Sequence, residues 1–303
     1  MRVEIGPYAE QRNLRLGLLF AFGGTALFAL KSIFIKLAYA QGVDTVTLLT
    51  LRMLVAAPFY LVVLFWLVYK TKVNRPKRQD LLAIMALGAM SYYVSAYFDM
   101  QGLNYISAQL ERLMLYTYPV MTALLSWLLF KEAITPRILL ALVLTYSGVL
   151  LLYAFEAKLG GSHVGLGVVL VTISALIFAV YLVYSKRVLN RVDSMLFTSI
   201  AMLSATACVL IHFSFTHPLS ALWVNSNAWF YALLLGFFST VLPSFMLTEA
   251  VARIGAARAS IMGTAGPIIT IILAVIFLGE PFTWVHLIGM LLVMIGVSLL
   301  SRK

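Results

Sequence analysis

The sequence predicts an all-α integral membrane protein whose ten transmembrane helices form two inverted five-helix repeats. Three observations carry this expectation: a composition that no soluble core accommodates, ten apolar runs of membrane-spanning length, and residues that recur between the halves at a nearly constant offset.

Of 303 residues, 62% are hydrophobic and 11% charged, and the mean hydropathy is +0.98, well above that of a soluble domain. The formal net charge of +11 does not point to nucleic acid, because the lysines and arginines lie in short clusters between apolar runs and not on one polar domain. The charge therefore reports topology. Cys208 is the single cysteine and lies in an apolar run, which excludes an intramolecular disulfide and a cysteine-based metal site. Residues 1–15 carry Arg2, Glu4, Glu10, Arg12 and Arg15 ahead of the first apolar run. That lead is too long, and lacks a clear small-residue cleavage site, for a secretory signal, so it reads as a cytoplasmic tail before a retained first helix.

The apolar runs fall near 16–39, 45–69, 81–101, 107–130, 136–156, 164–186, 194–214, 228–250, 257–278 and 283–300. At about 1.5 Å per residue each can cross a hydrocarbon layer of about 30 Å. Lysine and arginine stay on the cytoplasmic side. With the N-terminus inside, inner segments collect Arg2, Arg12, Arg15, Lys70, Lys72, Arg75, Lys77, Arg78, Lys131, Arg137, Lys186, Arg187, Arg191, Arg253, Arg258, Arg302 and Lys303, while outer ends hold only Lys36 and Lys158. Trp66 and Trp127 then fall near inner ends and Trp223, Trp229 and Trp284 near outer ends, as an aromatic belt requires. A multi-pass protein of the cell inner (plasma) membrane with both termini cytoplasmic is the expected topology.

Pro119 matches Pro267, Glu132 matches Glu280 and Gly148 matches Gly296, each at an offset of 148, and Phe28-Ala29 and Lys36 match Phe178-Ala179 and Lys186 at 150. An odd number of spans per repeat makes the second copy enter from the opposite face. The expected organisation is a tail at 1–15, a first repeat at 16–156, an outer linker at 157–163 and a second repeat at 164–301. Inverted repeats enclose one binding region that each half can seal from one side, which is how alternating access is built.

The segments "FALKSIFIKLAY", "TLLTLRMLVAAPF", "YPVMTALLSWLLFKEAIT" and "GPIITIILAVIFLGEPFT", with the glycine-bearing last helix of each half, resemble the EamA-type branch of the drug/metabolite transporter superfamily over about residues 16 to 301. The resemblance implies a ten-helix fold with a central cavity lined by the first four helices of each half. It also implies movement of amino acids, nucleotide-linked or other small metabolites, often outward.

Ionisable groups in hydrocarbon cost about 2.5–3.5 kcal/mol on insertion scales, so they face the bundle interior and act there. Lys31, Arg52, Glu111 and Arg112 all count to about 7 to 12 Å from the outer surface, one common layer. Glu111 and Arg112 diverge by about 100° on their helix, so one of them is free to meet Arg52 or Lys31. The second repeat places Tyr181, the neighbourhood of Ala201 and Ala259-Ser260 at the matching positions. The scaffold is thus built once without these charges, which favours a substrate or gate role over a structural ion network. Three cations against one acid leave positive charge for a carboxylate to satisfy. Tyr93 and Tyr97 share a face, Tyr116 is four residues from Arg112, and Tyr181 and Tyr92 are further candidates for the same cavity.

Asp99, near an outer helix end, is read as reaching water, with a protonatable role as the alternative. Glu249 and Arg253 read as a local i, i+4 pair, and Glu132 and Glu280 as structural turn acids. His163, His212, His217 and His286 fall at the outer side and follow no ligand spacing, so they read as scattered solvated residues and no metal is expected. Pro119 and Pro267 interrupt their helices at matched positions, as simple kinks or as exposed carbonyls beside a ligand.

The sequence thus predicts a secondary transporter, an exporter or facilitator of amino acids or related carboxylate-bearing metabolites, working by alternating access without a cofactor. The alternative is an exporter of amphiphilic drugs or cations. An intramembrane enzyme ranks below both for want of a nucleophile with its base, and a receptor lacks extramembrane surface. The substrate-binding or gate set is Lys31, Arg52, Glu111, Arg112, Tyr93, Tyr97, Tyr116 and Tyr181. The expected partners are a small-molecule substrate and the lipid bilayer, with no nucleic acid; a monomer suffices and a homodimer is left open.

Overall fold

The computed structural model describes residues 7–70, 76–131, 133–159 and 163–301. The start of the tail, Lys72, Arg75, Glu132, the middle of the outer linker and the two terminal residues lie outside them. The chain is all-helical within that range. α1 runs Pro7–Tyr39, α2 Thr45–Lys70 and α3 Arg78–Gly102, and α4 is two pieces, Ala108–Leu115 and Tyr118–Phe130. α5 spans Pro136–Lys158, α6 Val164–Leu189 and α7 Ser194–Thr216. α8 starts at Ser226 and continues through Leu242–Gly263, followed by α9, Gly266–Leu278, and α10, Trp284–Ser301.

Seven of these helices are long and apolar enough to cross a bilayer, and α9 and α10 are shorter apolar helices. Large apolar side chains such as Val62, Phe65, Leu128, Leu150 and Ile276 are more than half exposed on the outside of the bundle. That is the surface lipid covers. No such coat would survive in water.

Short polar residues start the helices where the sequence turns. The Asp44 carboxylate accepts from the Val46 and Thr47 amides at 2.8 and 3.0 Å, opening α2. Ser107, Thr135, Asp193 and Asn225 accept in the same way at the starts of α4, α5, α7 and α8. Pro136 supplies a preset φ at the first position of α5.

Irregularities of the backbone repeat between the halves. α4 breaks at Tyr116–Thr117 and α9 is preceded by a break at Thr264–Ala265; Pro119 and Pro267 are each the second residue of the helix that follows. The prolines therefore start new helices and do not kink existing ones, since a helix start needs no proline N–H. Both helices end on a left-handed residue, Lys131 at φ 55° and Gly279 at φ 64°. A π-helical segment interrupts each third helix of the repeat, Ala89–Ser95 in α3 and Leu234–Val241 in α8.

One boundary differs from expectation. The helical backbone runs on through Leu242–Gly263, where a turn near 251–256 was anticipated. The first repeat turns at 103–107 with Asn104 and the capping Ser107, whereas 251–256 reads Val-Ala-Arg-Ile-Gly-Ala and offers no capping side chain. Arg253 there pairs with Glu249 one turn back at 2.7 Å, as the i, i+4 spacing anticipates, and this supports helix.

Small residues let the helices approach. A Cβ on Gly148 of α5 would lie 2.6 Å from the Gly289 carbonyl of α10, so these two helices touch backbone to backbone. On α3, a Cβ on Gly88 would lie 2.6 Å from Ala201 Cα and 2.7 Å from its carbonyl carbon in α7. Gly88→Ala is expected to force these helices apart at a cost of about 1–3 kcal/mol, read as a lower melting temperature in detergent. An unchanged melting curve would contradict the packing.

Candidate functional site: a buried charge layer between the repeats

Lys31 of α1, Arg52 of α2, Asp99 of α3 and Glu111 and Arg112 of α4 are all buried, Glu111 with 0% exposure. The Lys31 ammonium lies 2.6 Å from Asp99 Oδ2 and 3.4 Å from Glu111 Oε1. The Ser32 hydroxyl, next along α1, donates to Glu111 Oε2 at 2.6 Å. Three helices of the first repeat are thereby tied at one point. Asp99 Oδ1, Glu111 Oε1 and Arg112 Nε are buried without a hydrogen-bond partner among the described residues.

The two arginines reach the other way, into the second repeat. Arg52 Nε donates to Thr240 Oγ1 at 2.9 Å, and that hydroxyl donates in turn to the Leu235 carbonyl inside the π segment of α8. Among the described residues no carboxylate lies within ion-pair distance of Arg52. Arg112 lies over the Tyr116 ring, 5.5 Å from its centroid, beside Gly266 at the start of α9. The Tyr116 hydroxyl donates to the Gly263 carbonyl at the end of α8. Glu111 and Arg112 thus diverge as their positions on one helix require, the acid toward α1 and the base toward the break before α9.

A further cross-repeat contact lies beyond α9. Glu280 accepts from the Ala108 and Gln109 amides at 2.8 and 3.2 Å, so an acid of the second repeat caps α4 of the first. Glu156 accepts from the Ser107 amide and hydroxyl at the same helix start.

The family model for the EamA-like transporter family matches residues 15–154 and again 165–302, one copy per repeat. The chain belongs to the EamA-like transporter family. An uncharacterized transporter of Bacillus subtilis, YcbK, is 31% identical over 303 residues, covering 95% of this chain and 93% of YcbK. The uncharacterized transporter sll1319 of Synechocystis is 26% identical over 241 residues, covering 77% of this chain and 70% of that one. A protein crystal structure superposes with a TM-score of 0.66 at 18% identity over 93% of this chain and 95% of that one, a likeness of fold. The protein is therefore a multi-pass membrane transporter of EamA architecture.

Within this EamA chain the anticipated residues divide into groups. Lys31 and Glu111 meet, and Arg112 and Tyr116 meet. Arg52 meets neither Lys31 nor Glu111 but the hydroxyl of Thr240. Tyr93 and Tyr97 do share a face, yet both present their rings edge-on to His212 of α7, at 5.7 and 5.5 Å between centroids. Tyr181 is hydrogen-bonded to Tyr92 at 3.2 Å and stacks on Phe178. His286 is buried beside Thr283 at the start of α10 and is not solvated as the sequence suggested. His217 approaches Asp44 at 3.4 Å.

Asp99 corrects the reading of that residue as reaching water: it is 3% exposed and is the nearest partner of Lys31. Its inclusion also changes the charge balance of the layer from two excess positive charges to one. Ser32, Thr240 and Tyr60, whose hydroxyl pairs with Ser244 at 2.9 Å, complete the polar layer and carried no signal in the sequence.

Proposed function

We propose that this EamA-family transporter is an exporter or facilitator of small carboxylate-bearing metabolites, amino acids foremost, and that they bind in the layer of Lys31, Arg52, Asp99, Glu111 and Arg112. The observation that carries this is the pairing of opposite unmet needs in one buried layer. Arg52 has a hydroxyl in place of an acid as its partner, and Asp99 Oδ1 and Glu111 Oε1 accept no hydrogen bond among the described residues, the latter lying 3.4 Å from the Lys31 ammonium. A guanidinium binds a carboxylate bidentately, and a carboxylate oxygen accepts from an ammonium, so a zwitterion answers both.

In this proposal the repeats rock around that layer, with α8 and α9 moving against α1, α2 and α4. Arg52–Thr240, Tyr116–Gly263 and Glu280 on the start of α4 are the contacts that exchange, because each joins one repeat to the other. The lysine and arginine bias supports an inner-membrane protein with both termini cytoplasmic, and the complete layer within one chain supports a working monomer.

Proteoliposomes loaded with a mixed pool of metabolites test the reading. Amino acids and related carboxylates are expected to leave only when the protein is present. Selective loss of lipophilic amines would move the assignment to amphiphilic cations, and a chemically altered product would move it to an enzyme.

A further inference from the structure

Among the described residues Lys31 is the base at ion-pair distance from both acids, while the two guanidiniums of the layer are held elsewhere, Arg52 on Thr240 and Arg112 over Tyr116. We infer that the Lys31–Asp99–Glu111 cluster binds one exchangeable proton on its carboxyl pair, and that this proton and the ammonium of a substrate compete for the same two oxygens. The inference rests on the transporter reading of this layer and adds proton exchange as its driving reaction.

The geometry assigns the roles. Asp99 holds the shorter contact to Lys31, 2.6 Å against 3.4 Å for Glu111. The shared ammonium keeps the two carboxyls within about 6 Å of each other, and they act on each other directly. Both are within the span of the bundle at 3% and 0% exposure, where an unneutralised carboxylate costs several kcal/mol. Two carboxyls held to one ammonium in such a site repel each other, and a proton on one of them relieves that repulsion. Glu111 Oε2 already accepts from Ser32, so the vacant position for hydrogen is Oε1. An O–H there gives the idle Asp99 Oδ1 a donor. On release that bond breaks, and the proton passes to water on whichever face the site opens to.

A substrate ammonium docking on Glu111 Oε1 and Asp99 Oδ1 occupies the atoms the proton used. The two ligands therefore travel in opposite half-cycles. The chemistry is antiport, in which a proton gradient directed into the cell expels substrate.

Other groups facing the pair set the background. Lys36 and Tyr39 come from α1, Arg52 from α2 and Arg112 from α4 itself, while Glu156 of α5 and Glu280 beyond α9 act on Lys36. Tyr60 and Tyr92 face Arg52, and Tyr181 of α6 faces Tyr92. The stretches of α8 and α9 packed here present the hydroxyls of Thr240 and Thr270.

Infrared difference spectra of the reconstituted protein, taken through a pH titration, read the proton without any substrate. A protonated-carboxyl C=O band is expected to titrate away as pH rises, to vanish in Glu111→Gln and to move in Glu111→Asp, which keeps the acid and guards against misfolding. A titrating band left unchanged by Glu111→Gln and by Asp99→Asn overturns the site. Coupling is read with a pH-sensitive dye inside proteoliposomes to which an equimolar mixture of the proteinogenic amino acids is added outside. About one proton is expected to leave per amino acid that enters, falling to near zero in Glu111→Gln. Amino acids that enter without any change of luminal pH overturn the coupling and leave the transporter reading standing. A titrating Glu111 band with no amino-acid entry supports the proton site and instead removes the amino-acid assignment.

Discussion

Lys31→Met is expected to destabilise the protein by about 3–5 kcal/mol, the cost of leaving a buried charge without its partner. The ammonium stands between Asp99 and Glu111, and its loss leaves two buried acids facing each other. The same mutation removes the ion pairs from α1 to α3 and α4, leaving Ser32 on Glu111 and Tyr39 on the Met100 carbonyl as the remaining polar ties among the described residues. Thermal unfolding in detergent, followed by tryptophan fluorescence, measures the loss. The physical claim is sharpened by a second variant, Lys31→Met with Asp99→Leu, which removes the pair together. It is expected to recover most of the lost stability, because an apolar pair of similar volume replaces an ion pair at little net cost. Transport by the double variant is expected to be abolished all the same. A single variant as stable as the parent would show that the pair is not desolvated and the layer not a closed one.

The global plan was legible in the sequence because it is written in quantities that the sequence states directly. Apolar run length marks the spans, and the recurrence of Pro119 at Pro267 and Gly148 at Gly296 marks the repeat. The glycines recur because two helices cross there backbone to backbone, a contact that admits little else. The left-handed end at Lys131 and the π segments in α3 and α8 had no such marker, whereas Gly279 is the residue type such an end favours. A π segment adds one residue to a helical turn without changing composition, so apolar periodicity passes over it.

Asp99 shows where depth counting fails. It lies three residues from the end of α3, and a helix end is ordinarily a place where a side chain reaches water. Here one side of the turn after α3 is covered: Leu103 is 0% and Ile106 2% exposed, and Gly102 packs against Val171 and the backbone of Gly167 in α6, while Asn104 is exposed. Asp99 lies on the covered side of the helix end. Distance along a helix therefore gave a depth relative to the chain, while burial depends on what the neighbouring helices cover. The partner of Arg52 was hidden for a different reason. An acid was expected on Arg52 or on Lys31; Glu111 meets Lys31, and a threonine hydroxyl in an apolar stretch supplies the Arg52 contact. Hydroxyls that bond to their own helix backbone are common in such stretches, so Thr240 gave no reason to be singled out.

That same contact makes Arg52 the residue with the largest expected effect on selectivity. Arg52→Gln is expected to raise the KM for carboxylate-bearing amino acids about 10- to 100-fold, the equivalent of losing a charged hydrogen bond worth about 1.5–3 kcal/mol. The corresponding amides, which have no carboxylate for the guanidinium to grip, are expected to change little, so the preference for acid over amide collapses. Arg52→Lys keeps the charge but loses the planar fork, and should fall between the two. A purely structural role for Arg52, as a tie between α2 and the π segment of α8, predicts something else. In that case Thr240→Val, which removes the tie and leaves the guanidinium, would reproduce the loss, and acids and amides would suffer alike. If the guanidinium holds substrate, Thr240→Val instead leaves it an additional free donor, and discrimination between acid and amide is kept. The comparison of acid with amide flux in these three variants therefore separates a substrate contact from a hinge contact, even if every variant is slower than the parent.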